Sequence, residues 1–279
     1  MTARVLLDRS RRVLLTGSAF LLFFAGGALL SYLVLPIARA ICGGGEEDKA
    51  RRCRRIVGAS WVFFHAYMRG LRLMRYAPRE TRLALPLPPF VLVANHPTLV
   101  DVTAVVATYP DLVVVAKRAH FASPLVGRLL RYCGHIDGGD GSAFSGVAVI
   151  ELAVERLRRG ISVLIFPEGT RSPEHGLGPF HLGAFLIAAQ ARVPIVPVVI
   201  TCDPPTLMRG QAWYEVPKRP AQLAIRQLPA FDAAGGDIRA RSRELRTAYL
   251  AELGLERGRR SGTAPAPRAP GPEAGAANG

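Results

Sequence analysis

Cysteine is sparse in this 279-residue chain and supports neither of its usual structural roles. The four cysteines, Cys42, Cys53, Cys133 and Cys202, lie far apart, and no two of them have the CxxC spacing of a metal site. This spacing also gives no indication of a disulfide framework, since such frameworks occur in small chains with dense cysteines. The cysteine content is typical of a protein in a reducing compartment.

Lysine is also rare, although the chain is strongly basic. Lysine and arginine total 36 against 21 acidic residues, a net charge of +15, and only Lys49, Lys117 and Lys218 are lysines. A basic surface predicts attraction to anionic phosphates, while codon bias in a GC-rich genome would produce the same arginine content. The sequence lacks zinc-ligand spacing, a helix-turn-helix pattern and an aromatic and basic stripe. We therefore expect membrane lipids as partners and no nucleic acid.

Charge is absent from Val13 to Ala38, a stretch longer than the roughly 20 apolar residues that a membrane-spanning helix needs. Arginines before it and the sequence ARA after it resemble a signal peptide, but signal-peptide cores have only about 7–15 residues. We predict a retained anchor, which either spans the membrane or enters one leaflet. The basic stretch Lys49–Arg55 favours the cytoplasmic face of the cell inner membrane for the rest of the chain.

A second apolar segment, Ile56–Met68, is bracketed by arginines and is too short to span a membrane comfortably. We interpret it as an interfacial helix with its arginines at the level of the lipid headgroups. The alternative is an ordinary helix that packs on the protein core.

Beyond a proline-rich linker, short apolar strands alternate with helices, which predicts an α/β fold with a mainly parallel sheet covered by helices on both faces. The predicted strands are Phe90–Asn95, Leu112–Lys117, Ile161–Phe166, Pro194–Ile200 and Ala221–Leu228. The predicted helices are Ser123–Cys133, Ser142–Gly160, Phe180–Ala191 and Ile238–Gly254. The chain then divides into a membrane-anchoring helical region (1–77), a linker (78–89), a catalytic domain (90–255) and a disordered tail (256–279).

The sequence NHPTLVD follows the first predicted strand and places His96 five residues before Asp101. Ligands bind at the carboxyl ends of strands in such sheets, so both side chains are candidates for a binding crevice. A carboxylate beside an imidazole fixes its tautomer and stabilises the imidazolium. Because no serine or cysteine adjoins the pair, we predict general-base activation of a substrate hydroxyl. The alternative is a core histidine with a helix-capping aspartate.

The sequence FPEGTRS begins at Phe166, the end of another predicted strand. Gly169 permits close approach of a ligand to the backbone, while Glu168 and Thr170 offer an acceptor and a donor. Arg171 carries a planar guanidinium that suits phosphate. The alternative is a polar loop with a capping glutamate.

The two motifs in this order resemble the glycerolipid acyltransferase family, whose members include lysophosphatidic acid acyltransferases. The segment VPIVPVVI is similar to a further block of that family, and the resemblance covers Phe90–Thr201. It implies a glycerol-3-phosphate acyltransferase-like fold. It also implies a membrane-bound enzyme that transfers a fatty acyl group to the free hydroxyl of lysophosphatidic acid or a related lysophospholipid. The donor would be acyl-ACP or acyl-CoA, the thioester of acyl carrier protein or of coenzyme A.

The resemblance also implies roles for individual residues. His96 is the expected base for the acceptor hydroxyl and Asp101 its partner, with no metal and no cofactor beyond the thioester. Arg171 is expected to take the acceptor phosphate. Four residues are expected to bind the acceptor: Glu168, Gly169, Thr170 and Arg171.

One family feature is missing, because no arginine follows Asp137 in the stretch GHIDGGDGSAF. Either Lys117 or Arg118 binds the phosphate instead, or the acceptor is an amino-acid lipid, a glycolipid or a polyene alcohol. A rival of another class is a basic, membrane-tethered scaffold that binds anionic lipid or nucleic acid without turnover. That scaffold requires neither motif.

Overall fold

The structure is a computed structural model that describes residues 3–140, 142–174, 176–232 and 237–255. Side chains are described for these ranges except at residues 3–6 and 143–145. The predicted disordered tail, 256–279, lies outside the described residues.

Seven strands form one sheet in the described part of the chain. They are β1 (Met74–Arg75), β2 (Val91–Ala94), β3 (Val113–Ala116), β4 (Ile136–Asp137), β5 (Val163–Ile165), β6 (Ile195–Asp203) and β7 (Ala221–Gln227). Their order is β1-β7-β6-β2-β5-β3-β4, and the five strands from β6 to β4 are parallel. β7 is antiparallel to β6, and β1 is parallel to β7. The predicted mainly parallel sheet is confirmed, with one edge reversed.

The helices begin with a long, nearly continuous one. It comprises α1 (Ala3–Leu29), a π-helical turn (Leu30–Val34) and α2 (Leu35–Ile41). The others are α3 (Glu46–Gly70), α4 (Asp101–Thr108), α5 (Arg118–Ala122), α6 (Gly127–Tyr132), α7 (Ala143–Arg158), α8 (Gly183–Ala191) and α9 (Ile238–Glu252). The helix predicted from Ser123 starts only at Gly127, because the chain first turns after α5. Gly127 is required there, since a Cβ would lie 2.2 Å from the carbonyl oxygen of Phe121.

Helices cover both faces of the sheet, as predicted. Successive side chains of β2 are buried alternately in the two layers. Leu92 and Ala94 are buried in the core that includes residues of α3 and α4. Val91 and Val93 are buried in a second core with residues of α7, α8 and α9. The strand is therefore buried on both sides, which explains its continuous apolar sequence.

Helix α3 combines the two interpretations of the second apolar segment. One face packs on the core through Val57, Phe64 and Met68. Gly58 lies so near the end of α4 that a Cβ there would be 2.5 Å from the side chain of Pro110, just after that helix. The opposite face is exposed, with 62% of Phe63 accessible. The prediction of a purely interfacial helix is therefore incomplete, because one face of the helix is buried in the protein.

The N-terminal helix lies along the rest of the protein. Leu7–Ile41 is the single described stretch that is long and apolar enough to cross a membrane, and only 17% of its most apolar window is buried. Leu14 and Leu21 are among its exposed side chains. Its other side contacts the domain at points along its length, including Arg12 with the Lys218 carbonyl, Phe20 with Trp213, Tyr32 with the Pro124 carbonyl and Arg39 with the Tyr132 carbonyl.

A buried histidine between α3 and α4 makes stability depend on pH. The His65 Nε2 atom lies 3.1 Å from the Thr103 hydroxyl, and burial lowers the pKa of His65 to about 4. Between that value and the ordinary pKa of about 6.5, the unfolded chain binds a proton that the folded protein does not. We therefore expect the free energy of unfolding to fall by about 3 kcal/mol, through this group, as the pH drops from about 6.5 to about 4.

Denaturant titrations of wild type and His65→Gln across this pH range measure the effect. Glutamine is chosen because it keeps a hydrogen-bonding group beside Thr103. The acid-induced decrease in the free energy of unfolding should be smaller in the variant by about 3 kcal/mol. Equal losses in the two proteins would contradict a neutral, buried His65.

Candidate active site

The two polar motifs leave the sheet side by side. β2 and β5 are parallel neighbours, with Val93 paired to Ile165, so both chains emerge at the same edge. The Asn95 side chain donates to the carbonyl of Ile200 over 2.9 Å and accepts from its N–H over 2.7 Å. This amide extends the pairing of β2 with β6 by one residue and fixes the point at which the chain turns away. The two motifs therefore lie at one edge of the sheet, while a crevice lined by both of them stays a prediction.

His96 and Asp101 are hydrogen-bonded at that edge. The His96 Nδ1 atom lies 2.9 Å from Oδ2 of Asp101, which is the first residue of α4 and is fully buried. Thr98 also donates to this carboxylate, through its backbone N–H to Oδ2 and its hydroxyl to Oδ1, both over 2.7 Å. The carboxylate is therefore held in one orientation by two residues from the turn that it closes.

The electrostatics of this pair determine which imidazole nitrogen is available. Burial raises the pKa of the Asp101 carboxyl, and the hydrogen bonds from His96 and Thr98 offset part of that rise. An ionised Asp101 is an acceptor only, so Nδ1 of His96 carries the proton and Nε2 has a free lone pair. Nε2 has no hydrogen-bond partner among the described residues, and 18% of the side chain is exposed. The ring of Phe166, 4.5 Å away between centroids, forms an apolar wall beside it.

Glu168 joins the two motifs. Its Oε1 accepts hydrogen bonds from the His96 N–H over 3.0 Å and the Ser172 hydroxyl over 2.7 Å, and its Oε2 accepts from the Gly178 N–H over 2.7 Å. The Ser172 N–H donates in turn to the His96 carbonyl over 2.7 Å. The buried carboxylate thus positions the backbone of His96. Its predicted contact with an acceptor stays a prediction.

The remaining residues of the second motif line the same edge. Gly169 has a φ of +64°, a left-handed conformation that favours glycine, and Thr170 is half-buried. Nη1 of Arg171 donates to the carbonyls of Leu207 and Met208 over 2.9 and 3.0 Å. Its Nε and Nη2 atoms have no protein partner in the described structure, so part of the guanidinium remains available for an anion.

Lys117 and Arg118 lie at the end of β3, beside β5. Arg118 forms ion pairs with Asp137 at 3.4 Å and Asp140 at 3.7 Å, whereas Lys117 is exposed. Burial and the charges of Lys117 and His96 lower the pKa of His120, which places this second imidazole near the site. The sequence indicates no partner for His120, although it follows a predicted strand end.

The comparisons with known proteins agree with this geometry. A family model described as Acyltransferase matches residues 77–201. A chloroplastic 1-acyl-sn-glycerol-3-phosphate acyltransferase of Brassica napus is 34% identical over 40% of this chain and 33% of its own length. The human 1-acyl-sn-glycerol-3-phosphate acyltransferase beta is 33% identical over 63% of this chain and 64% of its own length. The chain thus spans from a third to just under two thirds of these curated relatives.

The fold is also similar to a solved structure. The 1-acyl-sn-glycerophosphate acyltransferase PlsC of Thermotoga maritima superposes with a TM-score of 0.67 at 19% identity, over 88% of this chain and 98% of that one. This similarity concerns the fold. The family model and the relatives match the region that carries both motifs, so residues 77–201 are an Acyltransferase domain similar to that of 1-acyl-sn-glycerol-3-phosphate acyltransferases.

Proposed function

We propose that the protein is a membrane-associated O-acyltransferase that acylates the free hydroxyl of lysophosphatidic acid or a related lysophospholipid. The acyl donor is a thioester of acyl carrier protein or of coenzyme A. The observation that carries this proposal is the His96–Asp101 pair with Nε2 open, at the same sheet edge as Arg171. The names of the relatives support the choice of acceptor.

In this mechanism His96 Nε2 takes the proton of the acceptor hydroxyl as its oxygen attacks the thioester carbonyl. The new C–O bond forms, the C–S bond breaks, and the imidazolium returns the proton to the departing thiolate. Asp101 stabilises the imidazolium between these two transfers. Phe166 keeps one side of the ring apolar, which strengthens electrostatic interactions there.

The hydroxyl and thiol groups near His96 and Asp101 support direct transfer of the acyl group to the acceptor, without an acyl-enzyme intermediate. The Thr98 and Ser172 hydroxyls donate to the carboxylates of Asp101 and Glu168. Burial raises the pKa of the Cys202 thiol to about 12, so it stays protonated at neutral pH. None of these groups is prepared to act as a nucleophile.

The contacts of the N-terminal helix support attachment to one leaflet, and the basic stretch Lys49–Arg55 supports a catalytic domain on the cytoplasmic face of the inner membrane. The helix touches the domain from Arg12 to Arg39, roughly 40 Å at about 1.5 Å per residue. A helix held against the domain over that length places its opposite, apolar side in the lipid while lying in the membrane surface. This arrangement keeps the active-site edge close to lipid acceptors.

Replacing Arg171 by alanine tests the acceptor assignment. The loss of a charge-assisted contact to phosphate should lower kcat/KM for lysophosphatidate about 10–100-fold. A monoacylglycerol carries no phosphate, so its acylation should change much less. Kinetics of purified protein with both acceptors make the measurement, and Arg158→Ala, at the exposed end of α7, is the matched control.

Equal losses for the two acceptors would contradict phosphate binding. They would indicate instead that Arg171 acts only by holding the carbonyls of Leu207 and Met208.

A second candidate is the same chemistry on an acceptor other than lysophosphatidate, such as an amino-acid lipid, a glycolipid or a polyene alcohol. It is favoured by the stretch after Asp137, which lacks the arginine of the family, and by the ion pairs that engage Arg118 with Asp137 and Asp140. Acylation of one of these lipids in preference to a panel of lysophospholipids would select it.

A further inference from the structure

A basic cleft lies at the reversed edge of the sheet, away from His96. It has a volume of about 600 Å³ and is lined by the end of α3, by β1 and β7, and by residues 77–82. A narrower cleft of about 390 Å³ continues from it along α3, and both are lined by Arg69, Tyr76, Ala77 and Glu80. β7 and β1, which line the cleft, are two and three strand positions from β2, or about 10 and 14 Å.

The charge of the wider cleft is largely uncompensated. Its charged lining residues are four arginines and one glutamate: Arg69, Arg72, Arg75, Arg82 and Glu80. Their sum is 4 − 1 = +3. Glu80 lies 3.6 Å from Arg69, while Arg72, Arg75 and Arg82 form no ion pair within the described residues. Three unpaired guanidiniums around one cleft make a site for a phosphate group.

The narrower cleft is apolar along the helix. Four residues spaced as one face of α3 line it: Ala59, Val62, Phe63 and Ala66. This is the exposed face of α3, opposite the one that packs on α4. The two connected clefts therefore present an anion site that leads into an apolar channel, the pattern of a phospholipid headgroup and its acyl chain.

The position of the cleft relative to the N-terminal helix puts it at a membrane surface. α1 and α3 are antiparallel, because Ser18 bonds to Tyr67 while Phe23 stacks on Trp61. Arg12 precedes Ser18 in α1, and the cleft follows Tyr67 near the end of α3 at Gly70, so the arginines of both are at the same end of the helix pair. Because α3 runs beside α1, the cleft lies next to a helix that the proposed attachment places in the membrane surface.

We propose that this pair of clefts binds one anionic phospholipid of the surrounding membrane, with its phosphate on Arg72, Arg75 and Arg82 and one acyl chain along Val62 and Phe63. The site is a second lipid site, apart from the acceptor site, and it requires no acyl transfer. It rests on the membrane attachment proposed above but not on the identity of the acceptor.

The test is lipid binding to the full chain in neutral detergent micelles, followed by native mass spectrometry during titration with phosphatidylglycerol. The triple variant Arg72→Gln, Arg75→Gln, Arg82→Gln should bind at least tenfold more weakly than wild type. The control triple, Arg158→Gln, Arg239→Gln, Arg243→Gln, removes the same charge from α7 and α9 and should bind within twofold of wild type. The His96→Ala protein should bind like wild type, so this result is independent of turnover.

Two further measurements distinguish binding of a lipid from binding of phosphate alone. Phe63→Gln should weaken phosphatidylglycerol binding several-fold, and inorganic phosphate at the lipid concentration should not displace the lipid. Equal binding by the two triple variants would overturn the proposal. Displacement by inorganic phosphate, or no effect of Phe63→Gln, would overturn the assignment to a lipid.

Discussion

Replacing His96 by alanine should lower the rate of acyl transfer about 10²–10⁴-fold, the typical contribution of a positioned general base. The effect should fall on kcat, because the imidazole acts in the transition state and contributes little to ground-state binding. His96 is partly exposed, so the substitution leaves no large buried cavity and the fold should be retained. Initial rates with purified protein, with thermal unfolding as the check on folding, make the measurement.

The matched control is His120→Ala, which removes the neighbouring imidazole. His120 lies near His96 but has no carboxylate partner comparable to Asp101 in the described structure. We expect its rate to stay within about tenfold of wild type, well short of the loss that removing a base produces. A wild-type rate in His96→Ala would contradict the mechanism, and a larger loss in His120→Ala would assign the base to the other ring.

Replacing Asp101 by asparagine should have the second large effect, up to about 10⁴-fold on kcat. The shape is unchanged, but the amide cannot stabilise an imidazolium. Its NH₂ group also cannot accept the Nδ1 proton, which favours the tautomer with the proton on Nε2 and removes the free lone pair. The buried Thr98 N–H, which now donates to Oδ2, also loses its charged acceptor if the NH₂ group takes that place.

The comparison is Asp111→Asn, an exposed aspartate that pairs with Arg55 on the surface. Its kcat should stay within twofold of wild type, because exposed ion pairs contribute little. Half of wild-type activity in Asp101→Asn would show that the carboxylate is not needed to orient or charge the imidazole.

The positions of the two motifs at strand ends could be predicted because they depend on the sequence immediately around each motif. Continuous apolar runs predicted β2 and β5, and parallel strands place their carboxyl ends at one edge. The placement of Asp101 in the first turn of α4, curled back to His96, also followed from the five-residue spacing. The strands and the turn from His96 to Asp101 depend on neighbours in the chain, whereas the adjacency of β2 and β5 was a condition that the sequence left open.

Long-range contacts could not be predicted in this way. The direction of β7 and the pairing of the two-residue β1 depend on packing at the sheet edge. A short apolar sequence does not indicate this packing. The contact of Phe20 with Trp213 joins residues far apart in the chain. The length of α1 therefore predicted a membrane anchor without showing that it lies along the domain.

Glu168 shows a similar limit within the site. The family resemblance implied contact with an acceptor, which stays a prediction, and the structure adds that its carboxylate accepts hydrogen bonds from His96, Ser172 and Gly178. His96 is 72 residues away from Glu168 along the chain, so only the folded protein shows that contact. The sequence motif identified the residue, and the structure shows that it joins the segments around the base.

The most direct test of the mechanism is to measure free thiol and diacyl lipid together, with purified wild-type protein, an acyl thioester and lysophosphatidate. We expect one thiol per molecule of phosphatidate, no thiol release without acceptor, and loss of both products in His96→Ala. Thiol release without acceptor, or an acylated protein detected by intact mass, would contradict direct attack by a lipid hydroxyl that His96 deprotonates.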